Sequence, residues 1–434
     1  MTPEPGPTTQ PGRLVNIDVL RGLAILWVMT FHLYADMMAP HPEKDARHLY
    51  PALRDRLAEG APLHAITALG ELVLSMGYQG VPMFMILSGL SLTFNSYRRA
   101  EPPLLPGYVA RARKLLQPYW FGVAFIVVTV ALIALLQTVL DGGGYRHQGF
   151  EVKLQAVTPV NLRFDDALYA FSVIGWIFRE KVVTIPVGSL WFVQLLLLYY
   201  AVFPFALRLL NRIGPWRFFA LTFVLTLLLR AALIAFTVEW MDPLYRGRAL
   251  FAVGLFRGSE FFMGMSAGYL LARRREQVAE WISSPLDVAG IFVIGLLLQL
   301  AGTVLGPKAE LLTVLGDPVV QVALLLLMLP LIFKSAGRFE ASPFATVMAF
   351  VGVVAYAALI VNDQMRYVAS FLRQQDVPRA AWWAFLVAVY IPAGTLLAHP
   401  LARFLGLLPA RRLPQDAAQP EPGEPQALQP ASGG

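Results

Sequence analysis

Apolar runs of about 20 residues, the length that crosses a hydrocarbon core, recur along this chain. They fall at roughly 15–38, 68–95, 115–140, 188–208, 217–238, 251–272, 285–305, 318–334, 344–370 and 380–403. Short polar connections separate them. The pattern predicts an all-α fold, a polytopic integral membrane bundle of about ten transmembrane helices. The ends differ from the rest. Residues 1–13 are polar and Pro-rich, with neither a basic n-region nor a small-residue cleavage site, so the first span reads as a retained anchor. Residues 406–434 are rich in Pro, Gln, Ala and Gly and carry too little apolar surface to build a core, so they read as a disordered tail. A membrane domain over 14–405 lies between them.

Charge orients the spans. Arg and Lys cluster at alternate connections: Arg98, Arg99, Arg111, Arg113 and Lys114; Arg208, Arg212 and Arg217; Arg273 to Arg275; Lys334 and Arg338; Arg403, Arg411 and Arg412. By the positive-inside rule these face the cytoplasm together with both termini, which places the chain as a multi-pass protein of the inner cell membrane. The longest outer connection, 141–187, contains DDALYAFSVIGWIF, whose aromatic residues suit a segment lying at the interface around 166–180. Hydrophobic residues make up 57% of the chain and charged residues 15%, against about 25% charged in a soluble domain. The net charge of +7 fits a lipid surface and not a nucleic acid. There is no cysteine, which removes thiolate chemistry, and no internal repeat of the kind that marks many transporters.

Within the first span, DVLRGLAILWVMTFH embeds ionisable groups in an apolar run. Arg21 and His32 are eleven residues apart, about 1100° of helical rotation, so they share a face with a rise of about 16 Å. Asp18 precedes Arg21 by three residues and Asp36 follows His32 by four, giving a stripe Asp18, Arg21, Ile25, Val28, His32, Asp36. Lipid rejects such a stripe, so it faces the bundle interior or a wet cleft. It suits a ligand whose anionic end stays at the cytoplasmic mouth while its reactive end reaches deeper. His32 could take and return a proton, and Asp36 could orient it. Two other readings share the spacing: a hydrogen-bond cluster that fixes packing, and a proton-coupled path in a transporter or flippase.

RGLAILWVMTFH resembles the arginine, ten residues, histidine signature of the acyltransferase-3 family of integral membrane acyltransferases, and five further stretches are similar to its motifs in order. These are GVPMFMILSGLSLTF from Gly80; YVARARKLLQPYW with Arg111, Lys114, Pro118 and Tyr119; SLWFVQLLLLYYAVFP with Trp191 and Pro204; FRGSEFFMGM with Arg257, Glu260 and Gly264; and GVVAYAALIVND with Tyr356. Three positions depart from the family pattern. Gln194 stands near Trp191 where many members carry a glutamate, Leu359 replaces a tyrosine, and Asn362 replaces a late histidine.

The resemblance implies transfer of an acyl group, usually acetyl, from cytoplasmic acyl-CoA (acetyl-CoA as donor substrate, with no permanently bound cofactor) to a hydroxyl of a carbohydrate or lipid-linked acceptor at the bilayer. His32, Arg21 and Asp18 are then the expected catalytic group, with His32 as general base or as a nucleophile that carries the acyl group. Arg111 and Lys114 are expected to hold CoA phosphates. Ser88 and Gly89 would let the pantetheine arm approach, or would serve helix packing. Tyr119, Trp191, Asp36, Glu260 and Asn362 are expected to line the cavity or meet the acceptor, although Glu260 at three residues from Arg257 also suits a structural ion pair. The remaining histidines show no metal-ligand spacing, and no metal is expected.

Overall fold

The computed structural model describes residues 15–37, 70, 73–74, 76–98, 105–140, 150–152, 160–162, 171–172, 188–237, 257–281, 284–305, 310–333, 342–372 and 384–408. The N-terminal segment 1–13, nearly all of 166–180 and the tail beyond 408 lie outside the described residues.

The fold is all-α, as the apolar runs predict. Its helices are α1 (Val15–Met37), α2 (Gly80–Arg98), α3 (Leu105–Leu140), α4 (Trp191–Ile213), α5 (Pro215–Thr237), α6 (Gly258–Arg273), α7 (Arg275–Trp281), α8 (Pro285–Leu305), α9 (Glu310–Phe333), α10 (Pro343–Val353), α11 (Ala355–Leu372) and α12 (Ile391–Phe404). Short 3-10 turns, Met76–Gln79 and Gly188–Leu190, lead into α2 and α4. One antiparallel ribbon, β1 (Phe150–Val152) with β2 (Val160–Leu162), interrupts the long connection, Phe150 facing Leu162. Among the described residues α1, α4 and α5 are long and apolar enough to cross a membrane, and the number rises to five if each of two bent helix pairs is one span.

Helix α1 is the hub. It packs against α2, α9, α10, α11 and α12, and Val19, Leu20, Ala24, Ile25, Val28 and Met29 along it are buried. Two features let so many neighbours approach. A Cβ on Gly22 would meet the Met348 carbonyl of α10, and one on Gly352 would meet the Asp18 carbonyl of α1, so the α1/α10 crossing is made backbone to backbone. The α2/α6 crossing is built the same way, with Gly89 against the Phe261 carbonyl and Gly264 against the Ile86 carbonyl. Such small-residue crossings bring dispersion contact and keep side chains out of the way where lipid gives little apolar driving force. Large apolar residues that find no protein partner face outward at helical spacing, as Leu221, Val224, Leu225 and Leu228 do on α5. That is the surface hydrocarbon covers.

Two predicted spans differ in form. The run expected as one helix over 344–370 is broken at Val354, where α10 and α11 meet at a bend of 75°. Ser342 caps α10 by accepting from the Ala345 N–H at 3.1 Å, with Pro343 in the first turn. At its far end the Val354 N–H turns back to the Gly352 and Phe350 carbonyls, where Gly352 is pressed against α1. The run expected over 380–403 contains a π-turn, Leu386–Tyr390, between α-helical Ala384 and Phe385 and α12. A single α-helical period therefore misplaces the residues on both.

The crossings set a clear expectation for stability. Gly264→Val forces the α2 and α6 backbones apart and is expected to cost about 1–3 kcal/mol, the range for overpacking, read as a lowered thermal midpoint in detergent. Gly290→Ala is the control, because nothing lies within 4 Å of a Cβ there; it should leave the midpoint unchanged or raise it.

Candidate active site beside the first helix

On α1 the polar stripe faces protein. Asp18 is buried, Ile25 and Val28 are buried, and Arg21 and His32 are partly buried. The Arg21 guanidinium donates to Asp18 Oδ1 at 3.3 Å and to the Ser91 hydroxyl of α2 at 2.9 Å. Its side chain keeps 32% of its surface accessible, so the positive charge is oriented by two partners and still open to a ligand. The Asp18 pairing and the serine hydrogen bond leave other donors of the fork available. Arg111 of α3 turns the same way. Its guanidinium and that of Arg21 both act electrostatically on the Tyr200 hydroxyl of α4.

His32 sits deeper along α1, where α11 and the turn before α4 meet it. The Asn362 amide lies 2.9 Å from His32 Nδ1, and Ser189 Oγ lies 3.4 Å from the same nitrogen. Each of these contacts is itself held. The Tyr390 hydroxyl donates to Asn362 Oδ1 at 2.7 Å. Ser189 donates its hydroxyl to Asp363 Oδ1 at 2.6 Å and its backbone N–H to Oδ2 at 2.9 Å, and Arg366 pairs with the same carboxylate at 3.5 Å. Asn362 and Asp363 are essentially inaccessible. In a low-dielectric interior an amide and a carboxylate are retained there only because every one of these bonds is made. The Nδ1 edge is therefore held by protein.

The match to known proteins follows the same stretch of chain. The acyltransferase domain family fits residues 14–399, from the start of α1 into α12. The chain belongs to the acyltransferase-3 family. Comparison with curated proteins and with solved structures gives no match. The apolar helices and the family together make this a membrane protein and, in general terms, an acyltransferase.

The other expected site residues of this acyltransferase-3 chain are distributed unevenly. Tyr119 is fully buried and accepts from the Gln194 amide at 2.5 Å, tying α3 to α4. Close by, Tyr356 donates to the Leu115 carbonyl at 2.7 Å, one turn before Pro118 interrupts the α3 ladder. Trp191 is partly buried and packs against the clusters on both of its sides. Arg111 turns inward while Lys114 is exposed. Ser88 is partly buried, but the serine that engages Arg21 is Ser91, and Gly89 lies in the crossing with α6. Glu260 forms an ion pair with Arg257 at 2.8 Å and accepts from Gln321 of α9 at 2.8 Å, with Ser259 bonded to the same Gln321. It belongs to an interhelical network between α6 and α9. Asp36 lies in the last turn of α1, and its side chain is outside the described residues. Among the described residues no three His, Asp or Glu side chains gather as a metal site would require.

Ser189, Asp363, Tyr390 and Ser91 complete the site without having been singled out by sequence. The nearest signal was the run Asn362, Asp363, Gln364 inside an apolar stretch, three polar residues that a membrane helix does not carry without partners.

The bonds around Asp363 carry a graded expectation. Asp363→Leu strips the Ser189 N–H and hydroxyl of their acceptor and should cost about 1–3 kcal/mol for each buried group left unpaired. Tyr390→Phe removes one neutral bond and should cost about 0.5–1.5 kcal/mol. Thermal unfolding of the purified variants checks this, and equal losses would show that the carboxylate does not organise the turn before α4.

Proposed function

We propose that this protein transfers an acyl group, acetyl in the first instance, from cytoplasmic acyl-CoA to a hydroxyl of a carbohydrate or lipid-linked acceptor. The observation that carries the reading is the pairing, on one face of α1, of an accessible guanidinium held by Asp18 and Ser91 with an imidazole held at Nδ1 by Asn362 and Ser189. Acyl-CoA is anionic at one end and reactive at the other. With the N-terminus in the cytoplasm, Arg21 and Arg111 meet the phosphate-bearing part and His32 lies further along the pantetheine arm.

In the reaction His32 Nε2 takes the proton of the acceptor hydroxyl as its oxygen attacks the thioester carbonyl. The tetrahedral oxyanion collapses, the carbon–sulfur bond breaks, and the departing thiolate recovers the proton from the imidazolium. The products are the acyl ester and free CoA thiol. A base at Nε2 needs its proton on Nδ1. Ser189 Oγ can accept that proton because its own hydrogen is committed to Asp363, so the carboxylate acts on the ring through one hydroxyl. Asn362 supports that tautomer with its amide turned over, so that its carbonyl accepts from Nδ1–H and its NH2 donates to the Tyr390 oxygen. The Nδ1–H bond is then kept through the cycle, since the proton is gained and returned at Nε2.

The test is transfer of label from acetyl-CoA to envelope glycans and lipids in membranes of a deletion strain of the native host, complemented with wild type or variants at equal protein levels. His32→Ala is expected to lower transfer by about 100-fold or more, the usual contribution of a general base. Ser189→Ala should lower it less and shift the acid limb of the pH profile, because it cuts the link to Asp363. Transfer by His32→Ala at the wild-type rate would sink the catalytic assignment.

A further inference from the structure

The hairpin of α4 and α5 carries positive charge at its tip that no carboxylate among the described residues answers. Each helix is long and apolar enough to span a bilayer, and a single residue, Gly214, joins them. Its φ of 81° lets the chain reverse at once. The Gly214 N–H donates to the Leu210 carbonyl at 2.9 Å and the Phe218 N–H to the Gly214 carbonyl at 3.0 Å. A turn that short cannot carry its flanking residues away from the membrane, so Arg212 and Arg217 lie in the headgroup layer, with Arg208 one turn below Arg212. Trp216, beside Arg217, marks the same level. It is exposed and faces the exposed Trp281 with ring centroids 6.1 Å apart, at the depth where indole rings settle.

Neither α4 nor α5 contains an Asp or Glu. Arg208, Arg212 and Arg217 are all exposed, and none has an ion-pair partner among the described residues. The Arg208 guanidinium lies over the Phe205 ring, 5.7 Å from its centroid. Phe205 is three residues back along α4, on the hydrocarbon side of the tip, and is itself 67% exposed. From there exposed apolar residues continue into the bilayer at helical spacing, Val202 on α4 and Leu221, Val224 and Leu228 on α5. The tip is held from two sides, because Asn211 accepts from Tyr97 of α2 at 2.5 Å and Ser266 of α6 donates to the Pro215 carbonyl at 3.2 Å. Ordinary positive-inside topology accounts for the sign of the charge. It does not account for a guanidinium turned toward a lipid-facing phenyl ring on a fixed tip.

We propose that the α4/α5 hairpin holds an anionic phospholipid, its phosphate among Arg208, Arg212 and Arg217 and its acyl chains along the outward apolar faces of the two helices. Guanidinium forks match phosphate oxygens geometrically, and the lipid supplies the negative charge that the two helices lack. A water-borne anion fits less well, since it gains nothing from the apolar faces and meets Arg208 only on the bilayer side. Neither Arg21 nor His32 takes part, so the binding stands independently of acyl transfer. α4 begins beside the turn that brings Ser189 to His32 and ends at this tip. The lipid thus clamps the far end of a helix whose near end frames the candidate site.

The experiment reads binding alone. The full chain is purified into phosphatidylcholine nanodiscs that contain a trace of photoreactive phosphatidylglycerol or, in parallel, of photoreactive phosphatidylcholine, each with a diazirine in one acyl chain, and labelled peptides are quantified. α8 is the internal reference, because Val293, Ile294 and Leu297 on it are exposed and it carries no Lys or Arg. Phosphatidylglycerol is expected to favour α4 and α5 over α8 by about tenfold or more relative to phosphatidylcholine, which is within what three basic residues at a lipid surface supply. Arg208→Gln with Arg212→Gln should bring that ratio to within about twofold of unity. The thermal midpoint should not change, since neither arginine has a carboxylate partner to lose. Arg274→Gln with Arg403→Gln removes the same charge from exposed positions at connections assigned to the same membrane side and should leave the ratio as in wild type. Equal ratios for the two lipids in wild type would overturn the proposal. So would equal losses in the two double variants, the mark of a diffuse field, or release of the lipid by excess CoA, the mark of a nucleotide site.

Discussion

The contact between Asn362 and Nδ1 of His32 is the point on which the site turns. It joins α1, which packs against α2, α9, α10, α11 and α12, to α11, a helix that arrives from the far end of the chain. Polar groups at that depth have no solvent to fall back on, so the bond dictates its surroundings: the amide needs Tyr390, the neighbouring carboxylate needs Ser189 and Arg366, and each partner comes from a different element. The glycine crossings at Gly22 and Gly352 make this possible, because only backbones in direct contact place α1 near enough to the α10/α11 bend.

The division of labour along α1 follows from dielectric. At Arg21 the side chain is partly open, and a guanidinium held by Asp18 and Ser91 keeps its charge while offering donors to an anion. At His32 the groups that meet Nδ1 among the described residues are an amide and a hydroxyl. Asp363 exerts its influence one hydroxyl removed.

The local part of this was legible in the sequence. The period of about 3.6 residues placed Asp18, Arg21 and His32 on one face, and the α-helical course of the apolar runs followed from their length. What could not be read was long-range or irregular. Ser189 and Asp363 are 174 residues apart, and no spacing rule connects them. Ser91 and Ser88 lie one turn apart, and the choice between them depends on where α1 crosses. The break at Val354 carries no proline, and its cause, Gly352 pressed on the Asp18 carbonyl, is a contact with another helix. Asn362 stood out as a departure from a family pattern, yet the imidazole it faces and the phenol that holds it come from opposite ends of the chain.

The π-turn at Leu386–Tyr390 has an implication for how the chain tolerates change. A π-turn holds one residue more than the α-turn it replaces, so losing any residue from it restores ordinary pitch at little backbone cost. The price is rotational: everything on one side of the deletion swings by about 100° relative to the other. Tyr390 and the α12 face bearing Leu397 and Leu401 lie on the same side of such a deletion and keep their places relative to each other, while Ala384 and Phe385 change theirs. The widened turn therefore sets the phase between Phe385, on its near side, and the surface that Tyr390 and α12 form together beyond it.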